Sequence, residues 1–413
     1  MMRRSTLSLA ALVALGGTAA AQTVAITNGT VFPVSGPKIE RGTVVITNGR
    51  VTAVGANAAV PAGATIVDAA GKWVTPGLIH SDAAAGTGIG SLQGFGEAAK
   101  QGQINPSFDL TLGIDPEAIS IPLARTGGIT TGILLPNGSF LPGVAVTVDY
   151  AGSRVDDMIV KAPSALLINL TTGSRGAGGG TRAGTIAALK ALFRDALEYD
   201  RRRLEYNRAA TQQFSAPVEE LAALLPALRG EVPVVIAANR RIDIENALRL
   251  AREHRLRLVL LGAVEGWKVA EAIAAAKVPV IVGPTQDIPS FDGLGARLDN
   301  IVLLREAGVA VIIAGSDPGG ERGLRYAAGN AVRNGLSWDD ALRAVTQAPA
   351  QALGLPQYGT LAVGSIGNVV VWSGDPFELS SAAEKVFIRG TETSLRTREH
   401  ELRDRYMTVP PVR

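Results

Sequence analysis

The sequence predicts an α/β fold: a (β/α)8 TIM-type barrel beside a β-sandwich assembled from both ends of the chain. Three observations predict it: a β-rich opening, a long middle in which apolar runs alternate with helical patterns, and a tail that returns to β character. The 413 residues, 46% hydrophobic, suffice for a large core and exclude a disordered chain. A doubly wound open sheet is the alternative for the middle.

The first 21 residues stand apart. Arg3 and Arg4 precede an apolar run over 7–15, and Ala19-Ala20-Ala21 offers a small-residue cleavage site before Gln22. This is the pattern of a secretory signal peptide, too short for the ~20 apolar residues of a spanning helix. Export is expected, to the periplasm in a Gram-negative cell, with cleavage near Ala21 and no membrane attachment afterwards. Cleavage lowers the net charge from +3 to +1, no footprint for nucleic acid.

The opening comes next. Val24-Ala25-Ile26-Thr27 runs into Asn28-Gly29, Thr43-Val44-Val45-Ile46-Thr47 into Asn48-Gly49, and residues 51–54 end at Gly55. An Asn-Gly pair between β-branched runs predicts a hairpin, because both residues tolerate positive φ. In the middle, apolar runs over 129–135, 165–170, 232–237, 256–261, 278–282 and 310–314 alternate with helical patterns such as 242–254 and 265–276. Strands apolar on both faces, each followed by a helix, imply parallel βα units. Residues 74–354 number 281, close to the ~250 of a (β/α)8 barrel. In the tail, 367–372 and 385–388 are apolar runs separated by the Gly374-Asp375-Pro376 turn. The expected organisation is signal peptide 1–21, composite sandwich 22–73 with 355–413, and barrel 74–354. The charge-dense stretch 194–208 predicts a solvated helix face.

Chemistry-bearing residues are scarce. The chain has no Cys, which excludes disulfides, thiolate metal sites and cysteine nucleophiles. Its three His are His80, His254 and His400, the last two in charged surroundings that predict surface positions. Gly176-Ala177-Gly178-Gly179-Gly180 lacks a following Lys-Ser/Thr and predicts a flexible loop rather than a phosphate cradle, and the glycines 88, 90, 94 and 96 are similarly loop-like.

Several segments in order carry a family resemblance. Ile26-Thr27-Asn28-Gly29, Asn48-Gly49-Arg50-Val51 and Val74-Thr75-Pro76-Gly77-Leu78-Ile79 open it. Ala314-Gly315-Ser316-Asp317, Ala348-Pro349-Ala350, Gly359-Thr360-Leu361 and Asn368-Val369-Val370-Val371-Trp372 complete it. Together they resemble the amidohydrolase superfamily over nearly the whole mature chain. Thr181-Arg182-Ala183-Gly184 and Arg240 with Asp243-Ile244 are similar to the exported imidazolonepropionase- and dipeptidase-like branch. The resemblance implies a (β/α)8 barrel in which one or two divalent ions, usually zinc, activate water for attack on a C–N bond. Zinc serves that chemistry by lowering the pKa of bound water to about 7.

The ligand positions depart from the family pattern. Its first strand ends Pro-Gly-Leu-Ile-Asp-x-His-x-His, whereas this chain continues Ile79-His80-Ser81-Asp82-Ala83-Ala84. Ala237, Asn239 and Leu261 stand at the other strand ends, and only Asp317 matches. Alternation puts His80 and Asp82 on one strand face, about 6.6 Å apart, where with Asp317 they would form a one-His, two-carboxylate cluster. The expectation is a degenerate member with no cofactor, binding a small-molecule ligand or pairing with a second copy or an active relative. The alternatives are a C–N hydrolase using His80, Asp82 and Asp317, with zinc as its cofactor, and a different chemistry on the same fold.

Overall fold

The computed structural model describes residues 23–87, 104–204, 214–283, 290–315 and 322–407. Residues 1–22, including the expected signal peptide, lie outside these, as do the glycines 88–96 and Asp317. Five strands open the chain: β1 (Thr23–Val31), β2 (Ile39–Thr47), β3 (Arg50–Gly55), β4 (Thr65–Asp68) and β5 (Trp73–Pro76). Eight follow: β6 (Leu78–Ala83), β7 (Ile129–Leu134), β8 (Gly143–Asp149), β9 (Ile159–Asn169), β10 (Val234–Ala238), β11 (Leu258–Gly262), β12 (Val280–Val282) and β13 (Val311–Ile313). β14 (Val369–Trp372), β15 (Ala383–Ile388) and β16 (Thr391–Thr393) close it.

The two ends of the chain share one sheet, ordered β16-β15-β14-β5-β1-β2-β3, with β4 also pairing β1. Its core draws on both ends, with Ile26, Val44 and Val74 packed beside Val369, Val371 and Phe387. Asn48 and Gly49, at φ 50° and 77°, form the expected tight turn between β2 and β3. Asn28-Gly29 departs from expectation: β1 runs straight through it. Asn28 takes φ 64°, the β1–β2 register shifts there, and β1 passes from pairing β4 to pairing β5. A Cβ on Gly29 would meet Val74 Cγ2 at 2.8 Å, so glycine is required for the close approach.

The middle strands form a second sheet, β13-β12-β11-β10-β9-β8-β7-β6, curled into a nearly closed barrel. Ile79, Ile133, Ala145, Leu167, Val235, Val259, Ile281 and Ile312, one from each strand, meet in its lumen. The alternate residues, such as Leu134, Ile236 and Leu260, pack outward against the helices. The barrel is not fully parallel. β8 pairs antiparallel with both β7 and β9, so one βα unit is replaced by a meander. A short turn suffices for an antiparallel neighbour, whereas a parallel one needs a crossover helix. Asn137-Gly138, between the apolar run 129–135 and the β-branched run of β8, is the sequence signal for that turn.

The helices expected over 242–254 and 265–276 are Arg241–His254 and a 3-10 turn Gly266–Val269 leading into Ala270–Ala275. Residues 194–201 of the charge-dense stretch lie in a helix Arg182–Arg201, and residues 205–208 lie outside the described residues. Gly176–Gly180 differs from a flexible loop. A 3-10 helix Thr172–Gly178 packs on the first turn of that helix, where a Cβ on Gly178 would lie 1.9 Å from Thr185 N. Among the described residues no helix is long and apolar enough to cross a membrane.

Candidate functional site

The barrel mouth is built by strand ends and the loops that follow them, the usual place for a site in this architecture. Because Leu167, Val235 and Val259 face the lumen, the residues two further along share that face: Asn169, Ala237 and Leu261. Leu261 packs against the lumen cluster and Ala314 belongs to it. Ser81 is fully buried, and its hydroxyl has no hydrogen-bond partner in the structure. The Asn169 carboxamide oxygen accepts from Thr171 N (2.9 Å) and Thr171 Oγ1 (2.7 Å). The upper lumen is therefore mostly apolar.

Around it runs a rim of charges contributed by four successive loops. Arg182, opening the helix after β9, donates through Nε and Nη2 to Asp243, which follows β10 and is 2% exposed. This hydrogen bond raises the Arg182 pKa against burial, with the charges of Asp243 and Asp292 adding to it. Asp292, in the segment after β12, accepts from Thr172 N (2.8 Å) and Thr172 Oγ1 (2.6 Å) through Oδ2. Its Oδ1 is buried without a hydrogen-bond partner. Glu265, after β11, accepts from Arg241 N (2.9 Å) and Lys268 Nζ (2.8 Å). Burial pushes its pKa up, but the Arg241 amide and the Lys268 ammonium outweigh this, and it is held below the usual carboxylate range. Glu265 is thus ionised at neutral pH rather than poised near 7 as a general base would be.

The sequence-predicted residues fall differently. His80 is 2% exposed, and its Nε2 accepts from Gly315 N (3.3 Å) across the seam where β6 meets β13. Asp82 is exposed. The β6–β7 register shifts between His80 and Ala83, which breaks the alternation that placed residues 80, 82 and 84 on one face. Asp317 lies outside the described residues. His254 is half-buried rather than a solvated surface residue: its ring stands edge-on to Phe193 (5.0 Å, 77°), and burial disfavours its charged form. His400 is also half-buried, its Nδ1 3.2 Å from Thr397 N at the start of the helix Arg398–Met407.

Arg182 and Asp243, which in the sequence are only parts of the family resemblance, form one ion pair in the structure. No sequence motif marked Thr172, Glu265 or Asp292. For Thr172 and Glu265 the signal was position, two and four residues beyond the end of an apolar run; Asp292, ten residues beyond its run, carried no such signal. Among the described residues no group of three or more His, Cys, Asp or Glu is placed to hold a metal ion.

Residues 293–393 match the model of the amidohydrolase family. An amidohydrolase, tasK, of Hapsidospora irregularis is 25% identical over 402 residues, covering 86% of this chain and 39% of that protein. The chain thus spans about two-fifths of the curated relative's length. The crystal structure of an amidohydrolase from Thermotoga maritima MSB8 superposes with a TM-score of 0.81 at 28% identity, covering 90% of this chain and all of that one. Molinate hydrolase is similar in fold alone, with a TM-score of 0.55 at 18% identity over 91% of this chain and 95% of that one.

Proposed function

The chain belongs to the amidohydrolase superfamily, and from that premise we propose that it binds a small molecule in the barrel mouth and is not a zinc hydrolase. The observation that carries this reading is the lumen face of β10 and β11. Ala237 and Leu261 stand where the family resemblance implies donors, and neither side chain has a lone pair to offer. Zinc does not fit these residues. His80, the imidazole nearest the expected ligand positions, already has its Nε2 turned to the Gly315 amide. The remaining groups at the mouth suit recognition. An apolar wall set by Leu261 and Ala314 and the rim pair Arg182–Asp243 together favour a compact ligand with an apolar body and a polar edge. The basic and apolar pattern of residues 1–21 supports action outside the cytoplasm.

A second reading is hydrolysis of a carbon–nitrogen bond through His80, Asp82 and Asp317. The amidohydrolase names of the relatives at 25% and 28% identity favour it.

Elemental analysis of the dialysed protein, with amide and dipeptide substrates assayed with and without added zinc, separates the two. The binding reading expects well under one metal per chain and no zinc-dependent turnover. About one zinc per chain, with turnover abolished by Asp317→Asn, overturns it in favour of the hydrolase.

A further inference from the structure

A cleft of about 970 Å³ lies at the end of the barrel opposite the mouth. It opens between the helices Arg241–His254 and Ala270–Ala275, and its residues Arg257 and Val278 immediately precede β11 and β12. Leu248 and Val278 contribute apolar surface, and Arg249, Arg252, Arg257 and Lys277 supply four cations. Glu245, the carboxylate in the lining, is engaged by Arg241 (2.8 Å). None of the four cations forms an ion pair with a described carboxylate.

A fifth cation stands at the edge of the cleft. Lys161, half-buried at the start of β9, donates to the Leu353 carbonyl at 3.0 Å. A Cβ on Gly354 would lie 3.2 Å from Lys161 Nζ and 3.7 Å from Arg257 Nη2, so the two charges flank one glycine. Arg257 makes only long contacts, to the carbonyls of Gly230 (3.5 Å) and Glu231 (3.4 Å). Burial and the neighbouring guanidinium push the Lys161 ammonium down. Like charges brought together without a counter-charge oppose folding, and an anion placed between them removes that cost.

We propose that this cleft binds a small molecule carrying two or more anionic groups, phosphate or carboxylate, at a site separate from the barrel mouth. The guanidinium forks of Arg249, Arg252 and Arg257 match such oxyanions bidentately, and Lys277 adds a point charge. The site stands independently of what the mouth binds.

Calorimetric titration of the full chain with inorganic pyrophosphate and with citrate, in chloride buffer at low and physiological salt, tests it. One-to-one binding is expected, weakened by added salt, and the tighter arm identifies phosphate or carboxylate as the preferred group. Lys277→Gln and Arg249→Gln remove side chains with no hydrogen bond to the fold, and each should weaken binding about tenfold, or about 1.4 kcal/mol. Arg154→Gln, an exposed cation outside the cleft, should leave it unchanged. Failure of both anions to bind overturns the proposal. So does an affinity untouched by the cleft substitutions, or one lowered equally by Arg154→Gln, which marks diffuse charge attraction.

Discussion

A methyl group on Gly128 would sit 2.1 Å from Trp372 Cη2, and the residue holds φ +74°. Gly128 leads into β7 while Trp372 ends β14, so one missing side chain lets the tail of the chain settle against the barrel. Gly128→Ala combines a left-handed backbone with a steric overlap against a fully buried indole, and should destabilise by about 3 kcal/mol or more. Gly63→Ala, at φ +79° with nothing within 4 Å, should cost only about 1–2 kcal/mol. Urea titration of both variants separates backbone strain from overlap; equal losses would refute the close-packing account. Asn-Gly is read with the same logic. At 48–49 it turns the chain, whereas at 28–29 the approach of Val74 makes it a kink inside a strand.

Among the elements, the barrel seam is the informative place. No ladder joins β6 to β13, and the His80 imidazole reaches across to the Gly315 amide instead. Nε2 can accept that hydrogen bond only when it carries no proton. His80→Ala leaves the half-buried Gly315 N–H without its acceptor and should cost about 1 kcal/mol. Amide exchange at Gly315 should accelerate in the variant; unchanged protection there would show that the imidazole does not close the seam. β8 teaches a related lesson. Its apolar content fits a barrel strand in either direction, and only the short connection from β7 selects the antiparallel one.

For the whole molecule, the sandwich is fastened to the barrel by one buried carboxylate. Asp149, at the end of β8 and fully buried, accepts from Thr131 Oγ1 (2.8 Å), Arg389 Nε (2.7 Å), Tyr358 Oη (3.1 Å) and Asn368 Nδ2 (3.2 Å). Arg389 and Asn368 come from the tail of the chain, so the network joins that tail to the barrel floor. Burial, then the Asp149 charge, pushes the Tyr358 phenol far above its ordinary value near 10. A raised folded-state pKa favours the protonated phenol in the native protein. Its contribution is fully present below about pH 10 and is lost as pH rises from there toward the folded value. Tyr358→Phe should flatten the fall in stability between about pH 10 and pH 11, measured by urea midpoints; an unchanged slope would place the alkaline transition elsewhere.

The β–α/β–β division, the barrel with its composite sandwich and the family resemblance were legible in the sequence, because apolar periodicity and turn residues are local signals. The Asn48-Gly49 turn and the helix Arg241–His254 were legible for that reason. The direction of β8, the register shift that separates buried His80 from exposed Asp82, and the assembly of Arg182, Asp243, Glu265 and Asp292 into one rim were not. Those depend on which strands become neighbours and on residues tens of positions apart meeting at one end of a barrel. They emerge on folding, since a one-residue shift in a ladder reverses the facing of every side chain beyond it.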